Sequence, residues 1–308
     1  MSRSHELLDD WPALPLQGWL DTRDTLHLWL QIVGKIRLAL TPPVNHSWHA
    51  TVYVTARGLT TRTIPSHHRQ FQIDLDFIDH QLTIQATDGR TGGFALAPQS
   101  VAAFYARLMK ELDHLALPVR IVATPNELPD PIVPFARDEV HGSYDPDAVN
   151  RFWRILVQTD RVMKQFRARF IGKCSPIHLF WGAMDLALTR FSGRPAPRHA
   201  GGVPNLPDAV TREAYSHEVS SCGFWSGTAP VDYPAYYAYA YPQPPGFAEA
   251  SVGPDAAFYS QELGEFILPY DRVRESTNPD GMLLEFFQST YDAAANLGGW
   301  DRAALERG

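Results

Sequence analysis

The chain has almost no cysteine: two in 308 residues, Cys174 and Cys222. One disulfide would add little to a chain of this length, so both are read as free thiols. No apolar run approaches the roughly 20 residues that span a bilayer. The opening MSRSHELLDDWPALPL carries acidic residues where a secretory signal needs an apolar stretch. No membrane association is expected, and the expected location is the cytoplasm. Basic residues are in deficit: 27 Lys and Arg against 34 Asp and Glu leave a net charge of −7. That balance argues against general affinity for nucleic acid, because phosphate binding relies on clustered cations that displace counterions. Signatures legible from spacing are missing too. There is no GxxxxGK[ST] phosphate loop, no GxGxxG after a strand, no HExxH and no GxSxG, so most nucleotide-dependent and zincin-type chemistries lose their usual support.

What is present is the composition of a soluble globular protein, 44% hydrophobic and 20% charged, with length enough for one large domain or two smaller ones. Trp11, Pro12, Pro15 and Trp19 read as an extended lead-in that packs its aromatics on the body. Leu26, Trp29, Val33, Ile36 and Leu40 recur every three or four residues, which predicts a helix over 22–40 ended by Pro42 and Pro43. HSWHATVYVTARGLTT has the β-branched and aromatic content of a strand, and RQFQIDLDF alternates apolar with polar, a strand with one wet face. QLTIQAT and GGFALA continue the sheet, Ser100 caps a helix over 100–115, and VRIVATP reads as a short strand.

A stretch rich in proline and acids, 125–147, has the composition of a linker, and then the pattern restarts. Asp145 and Pro146 open a long amphipathic helix. PIHLFWGAMDLALTRFSG, EAYSHEVSS, YYAYAYP, AFYSQEL and EFILPY are strand-like, and a last helix runs over 279–296. The expected fold is α+β: two related helix, antiparallel-sheet, helix modules, 1–124 and 148–308, joined by 125–147 and packed about a pseudo-twofold axis. Such packing creates a cleft at the junction, a favoured place for a small-molecule site.

At DTRDTLHLWLQIVGKIRLALTPPVNHSWHATVYVTARGLTT, FRARFIGKCSPIHLFWGAMDLALTRFSGR and FYSQELGEFILPYDRVR the sequence resembles a bacterial family known only as domain of unknown function 5996, over nearly the whole chain. The resemblance implies a stand-alone bacterial cytosolic protein. It implies no reaction and no catalytic residues.

The chemistry has to come from the residues. His178, His217 and Glu218 are the candidate catalytic set, and two imidazoles with a carboxylate suit a divalent metal. Neighbours on a regular strand point to opposite faces, so His217 and Glu218 share one ion only across a bulge or at a strand end. The bland reading makes His217 a packed histidine beside Tyr215 and Val219. A zinc site from Cys174, His178, His217 and Cys222 fails on spacing, since five residues along a strand is roughly 16 Å. His49, the counterpart of His178 in the first module, is a candidate ligand-binding residue whose alternative is a strand cap; His46 lies three residues before it. His67 and His68 read as solvated. Glu218, Glu262, Glu265 and Asp185 offer paired carboxyls, with Trp225 and Tyr237 or Tyr239 as walls for a sugar-like or aromatic ligand. Arg57 and Arg190, near the ends of matching strands, are candidates to clamp an anionic ligand, or else rim residues tied to nearby acids. Asp160 lies on an apolar helix face or pairs with Lys164. Two functions follow: an enzyme acting on a small anionic or aromatic molecule in the cleft, or a non-catalytic ligand-binding or protein-interaction module, for which the YYAYAYP strand should be exposed.

Overall fold

In the computed structural model, which describes residues 10–228 and 230–307, Trp11 and Trp19 are buried, and Trp19 packs on Phe152 with ring centroids 5.3 Å apart. The first nine residues, part of the stretch read for a secretory signal, lie outside the described residues. Helix α1 (Leu20–Leu40) follows. It is buried almost all round from Thr22 to Arg37, as a helix must be when structure surrounds it rather than flanking it on one side.

Six short strands then form the first antiparallel sheet: β1 (Tyr53–Val54), β2 (Gly58–Thr60), β3 (Ile64–Ser66), β4 (Arg69–Asp76), β5 (Gln81–Ala86) and β6 (Thr91–Ala95). Their order is β1-β2-β4-β5-β6, with β3 also paired to β4. Strand β4 alternates as expected, burying Phe71, Ile73 and Leu75. Helix α2 (Val101–His114) closes this half, and the Ser100 hydroxyl accepts from the Ala103 amide at 3.1 Å. Helix α3 (Pro146–Ala168) opens the second half under the Asp145 carboxylate, which caps the Asp147 and Ala148 amides.

The second sheet is also antiparallel, in the order β11-β12-β10-β9-β8-β7. Its strands are β7 (His178–Phe180), β8 (Asp185–Pro195), β9 (His217–Trp225), β10 (Ala235–Tyr241), β11 (Phe258–Ser260) and β12 (Glu265–Pro269). Short helix α4 (Asp208–Ala214) precedes β9, and α5 (Tyr270–Arg274), α6 (Pro279–Leu297) and α7 (Arg302–Leu305) complete an α+β fold. Among the described residues no helix is long and apolar enough to cross a membrane.

Three expectations need correction. VRIVATP forms no strand: an apolar run of this length does not distinguish a strand from packed coil, and Ile121 and Val122 line a cavity instead. HSWHATVYVTARGLTT is mostly irregular, holding a 3-10 turn at Asn45–Ser47 and only the brief β1 and β2. EAYSHEVSS straddles the end of α4 and the start of β9.

The two sheets join edge to edge. Val52 and Leu179 exchange both main-chain hydrogen bonds, at 3.1 and 2.8 Å, so the start of the first sheet continues into β7. The turn after β7 docks on α1 at the same place. The Trp181 indole donates to the Ala50 carbonyl at 2.7 Å and lies against Gly34, where a Cβ would stand 2.1 Å from the ring. Gly34→Ala gains about 1 kcal/mol of helix propensity. Because the ring is anchored and cannot yield, overpacking costs about 1–3 kcal/mol. Urea denaturation should show a net loss of stability; an unchanged or raised midpoint would mean that Trp181 is not held as described.

Candidate functional site

The even-numbered residues of β8, β9, β10 and β12, among them Leu186, Leu188, Cys222, Phe224, Tyr236 and Leu268, face the main core, with Phe166 and Phe287 of α3 and α6 in the same cluster. Side chains alternate across a strand, so the odd-numbered set faces the other way. That opposite face is the floor of a cavity of about 820 Å³. Its rows follow from strand register. Asp185, Trp225 and Ala235 lie side by side, then Ala187, Gly223, Tyr237 and Ile267, then Thr189, Ser221 and Tyr239. Glu265 begins β12 at the same end as Tyr239 and also lines the cavity. The walls come from Lys35 and Leu38 of α1, the His46–Trp48 turn, residues 120–127, the β7–β8 turn, and 203–215.

Gly223 shapes this floor. A Cβ there would stand 2.4 Å from the Tyr237 ring and from the Leu186 carbonyl oxygen. Without it, Tyr237 on β10 lies over β9 and donates its hydroxyl proton to Asp185 Oδ2 on β8. Tyr239 is hydrogen-bonded to Tyr215 (2.9 Å between hydroxyl oxygens), and the Tyr237 and Tyr239 rings are nearly parallel, with centroids 6.1 Å apart.

Glu127 enters from the wall on a segment held at several points. A stripe on α1, His27, Gln31 and Lys35 at i, i+4 and i+8, presents polar groups to one side of the otherwise apolar stretch 26–36. The His27 Nε2–H donates to Gly182 O at 2.8 Å, while Gln31 donates to Asn126 O at 2.9 Å and accepts from Asn126 N at 2.8 Å. Lys35 Nζ donates to Asn126 Oδ1. From the other side the Glu127 amide donates to Pro204 O at 3.0 Å. The result places Glu127 at φ 59°, a left-handed conformation that costs a non-glycine residue about 1–2 kcal/mol. Its carboxylate fits over Gly182, where a Cβ would be 1.8 Å from Oε1.

Three carboxyls therefore share one cavity, and each feels it. Burial pushes Asp185 up to about 6, against the pull of the Tyr237 hydroxyl. Burial pushes Glu127 and Glu265 up to about 7, and the charge of Asp185 adds to both shifts. Tyr215, driven up to about 12 mainly by burial, also feels the charges of Glu265, Asp185 and Glu127. Lys35 is pushed down to about 8 by burial, with Glu127 opposing the shift. These acids and this amine can change protonation near neutral pH, the property expected of groups in a working site.

The residues singled out from the sequence are placed as follows. Trp225 lines the cavity, as do Asp185, Glu265, Tyr237 and Tyr239 from the carboxylate reading. His46 also lines it, donating from Nδ1 to Ala214 O and accepting from Lys173 Nζ at 2.7 Å. His217 lies at the far end of β9, bonded to Ser216 Oγ, with its ring 6.3 Å from His46. Glu218 points to the opposite side and accepts from Arg194 at 2.7 and 2.9 Å. His178 is 1% exposed, bonded through Nδ1 to Thr51 Oγ1, and pushed down to about 3 by burial and then by Arg37 and Arg62. It pairs with Ala187 on β8 whereas His217 pairs with Pro195, so the two are on the order of 25 Å apart along the strand and are not brought together.

His49 bonds locally to Val44 through Nδ1. Arg57 is half-exposed and tied to Asp76 and Asp79. Arg190 is on the core side of the sheet, its guanidinium 3.5 Å from the Phe166 ring centroid and 4.3 Å from that of Tyr291. Asp160 pairs with Lys164. Burial raises both cysteine thiols, the opposite of activation. Among the described residues no group of three or more His, Cys, Asp or Glu is placed to hold a metal ion.

Sequence reasoning missed Glu127 and Lys35. The stripe at 27, 31 and 35 was a signal for the lysine; nothing in the proline-rich 125–147 marked the glutamate.

A carboxyl raised in the folded state keeps protons that the unfolded chain releases. Its contribution to stability is therefore present at about pH 4 and lost as pH rises through about 7. Asp185→Asn should bring the Glu127 and Glu265 midpoints down from about 7, read from carboxyl carbon chemical shifts. Relative to the parent, the variant should become more stable as pH rises over that window. Unmoved midpoints would mean that the three acids do not share the space.

No curated protein and no solved structure matches the chain. One family model does, over residues 11–307, that of a family of unknown function. The chain, with its cavity over the second sheet, therefore belongs to the DUF5996 family.

Proposed function

We propose that this protein binds a small molecule with an aromatic or otherwise apolar body in the cavity over the second sheet. The observation that carries the reading is the cavity: about 820 Å³ lies within the range of small-ligand sites, and its walls combine tryptophan and tyrosine with a few convergent polar groups. Trp225, Tyr237 and Tyr239 would hold the body of the ligand, and Asp185, Glu265 and Glu127 would fix its polar end. The anionic ligand suggested by Arg57 and Arg190 receives less support, because neither arginine lines this space. A protein-interaction role for the YYAYAYP strand is also less favoured, since β10 is an inner strand paired on both sides.

One observation supports turnover as a second reading. Asp185 and Glu265, at about 6 and about 7, are suited to give and take protons at physiological pH, as a general acid and base require. The meeting of the two antiparallel sheets at Val52 and Leu179 also supports the reading of two related modules about a pseudo-twofold axis, with the cavity using residues on either side of the junction.

The neutral fluorophore N-phenyl-1-naphthylamine tests the binding reading. Its emission should rise saturably with one site per chain. Val210→Trp, which places a large ring into the cavity from half-buried α4, should remove the rise without changing the circular dichroism. A parent chain that gives no saturable signal, or a variant that binds as the parent does, would refute it.

A further inference from the structure

The charges around the cavity are not distributed evenly. On the walls, the Lys35 amine is already engaged by Asn126 Oδ1 and sits 5.4 Å from the Trp181 ring centroid, and Arg120 is exposed. His46 is occupied by the Ala214 carbonyl and Lys173. The floor is different. Asp185 accepts from Tyr237, a neutral donor, and among the described residues neither Asp185 nor Glu265 forms an ion pair with any lysine, arginine or histidine. No cation contributes to the shift of either one, whereas Lys35 does contribute to that of Glu127.

Two carboxyls in an enclosed space without a counter-charge are costly to ionise together. Beside them the Tyr237 ring lies over the Gly223 position with the Tyr239 ring nearly parallel to it, and Trp225 lines the same space; aromatic faces carry the negative side of a quadrupole. Carboxylates and ring faces attract the same kind of group. An alcohol or amide would satisfy hydrogen bonds here without relieving the repulsion between the acids, and a carboxylate or phosphate would add to it.

We infer that the ligand of this cavity is a protonated amine, its ammonium group placed against the Asp185 carboxylate, with Glu265 adding negative charge further along the same floor and the apolar body lying along Trp225, Tyr237 and Tyr239. The inference rests on the proposed ligand-binding role of the cavity and adds the charge of what is bound. The ammonium supplies the positive charge that the floor lacks, and its donors take the carboxylate lone pairs that Tyr237 leaves open. Glu127, already opposite Lys35, serves the wall rather than the ammonium.

Three probes with one ring system and different heads separate charge from shape: 1-naphthylmethylamine, 1-naphthalenemethanol and 1-naphthoate, each titrated calorimetrically at pH 8, where the floor carboxyls are ionised. The amine should bind at least about tenfold more tightly than the alcohol, the difference expected from one partly desolvated ion pair with ring-face attraction, and the naphthoate least tightly. The double variant Asp185→Asn with Glu265→Gln should erase the preference for the amine while keeping affinity for the alcohol. If the alcohol or the naphthoate binds as tightly as the amine, or the preference survives the double variant, the inference is overturned and the ligand-binding reading stands. If none of the three binds and N-phenyl-1-naphthylamine gives no signal, both fall together.

Discussion

Three side chains on one turn-spaced stripe of α1 tie together segments that lie far apart in sequence. His27 and Gln31 are spent on main-chain groups of Gly182 and Asn126, and Lys35 on the Asn126 side chain. Each bond is made in a setting where an unpaired polar group would cost about 1–3 kcal/mol, so the stripe sets position as much as it adds stability. The β7–β8 turn and the segment carrying Glu127 take their places from it, and the wall of the cavity is built where they meet. Burial holds His27 down to about 4, so at neutral pH the ring is uncharged and its Nε2 proton is committed to the carbonyl side.

The join between the sheets has the same character. The Val52 and Leu179 pair is short, two hydrogen bonds, but it sits where Trp181 locks onto Ala50 and against Gly34. Helix α3 reaches the same region through the Trp153 indole, which donates to the Thr55 carbonyl at 3.0 Å. A continuous cluster of buried residues from both halves surrounds these contacts. The open face of the second sheet is left over by this arrangement: its helices occupy the even face, and the odd face looks onto α1, the segment 120–127 and α4.

Periodicity carried the α+β class and most elements, because an apolar face repeats with the geometry of the element that buries it. Helices α1, α2, α3 and α6 and strands β4, β5 and β10 were legible in this way. VRIVATP was not, since an apolar run that lines a cavity from coil has the composition of a strand without its partners. The site was legible only in part. Asp185, Glu265, Trp225, Tyr237 and Tyr239 could be gathered as acids with aromatic walls, yet which of them shared a face depended on strand register, which sequence spacing within one strand does not contain. His178 and His217 were grouped because two imidazoles with a carboxylate suit a divalent metal; pairing at opposite ends of β8 keeps them apart. Glu127 had no local signal, because its position depends on bonds to α1 and to Pro204 rather than on its neighbours in sequence.

Gly223 has a consequence for how such chains can vary over evolution. The tyrosine at 237 reaches the acid at 185 only because the strand between them carries no side chain at the crossing point. Losing the glycine first would push the ring away and leave the acid without its donor; losing the acid first would leave a tyrosine folded over an empty notch. Neither single step is neutral, so these three positions form one inherited unit. Across relatives they should be kept together or exchanged together, although no two of them are neighbours in the sequence.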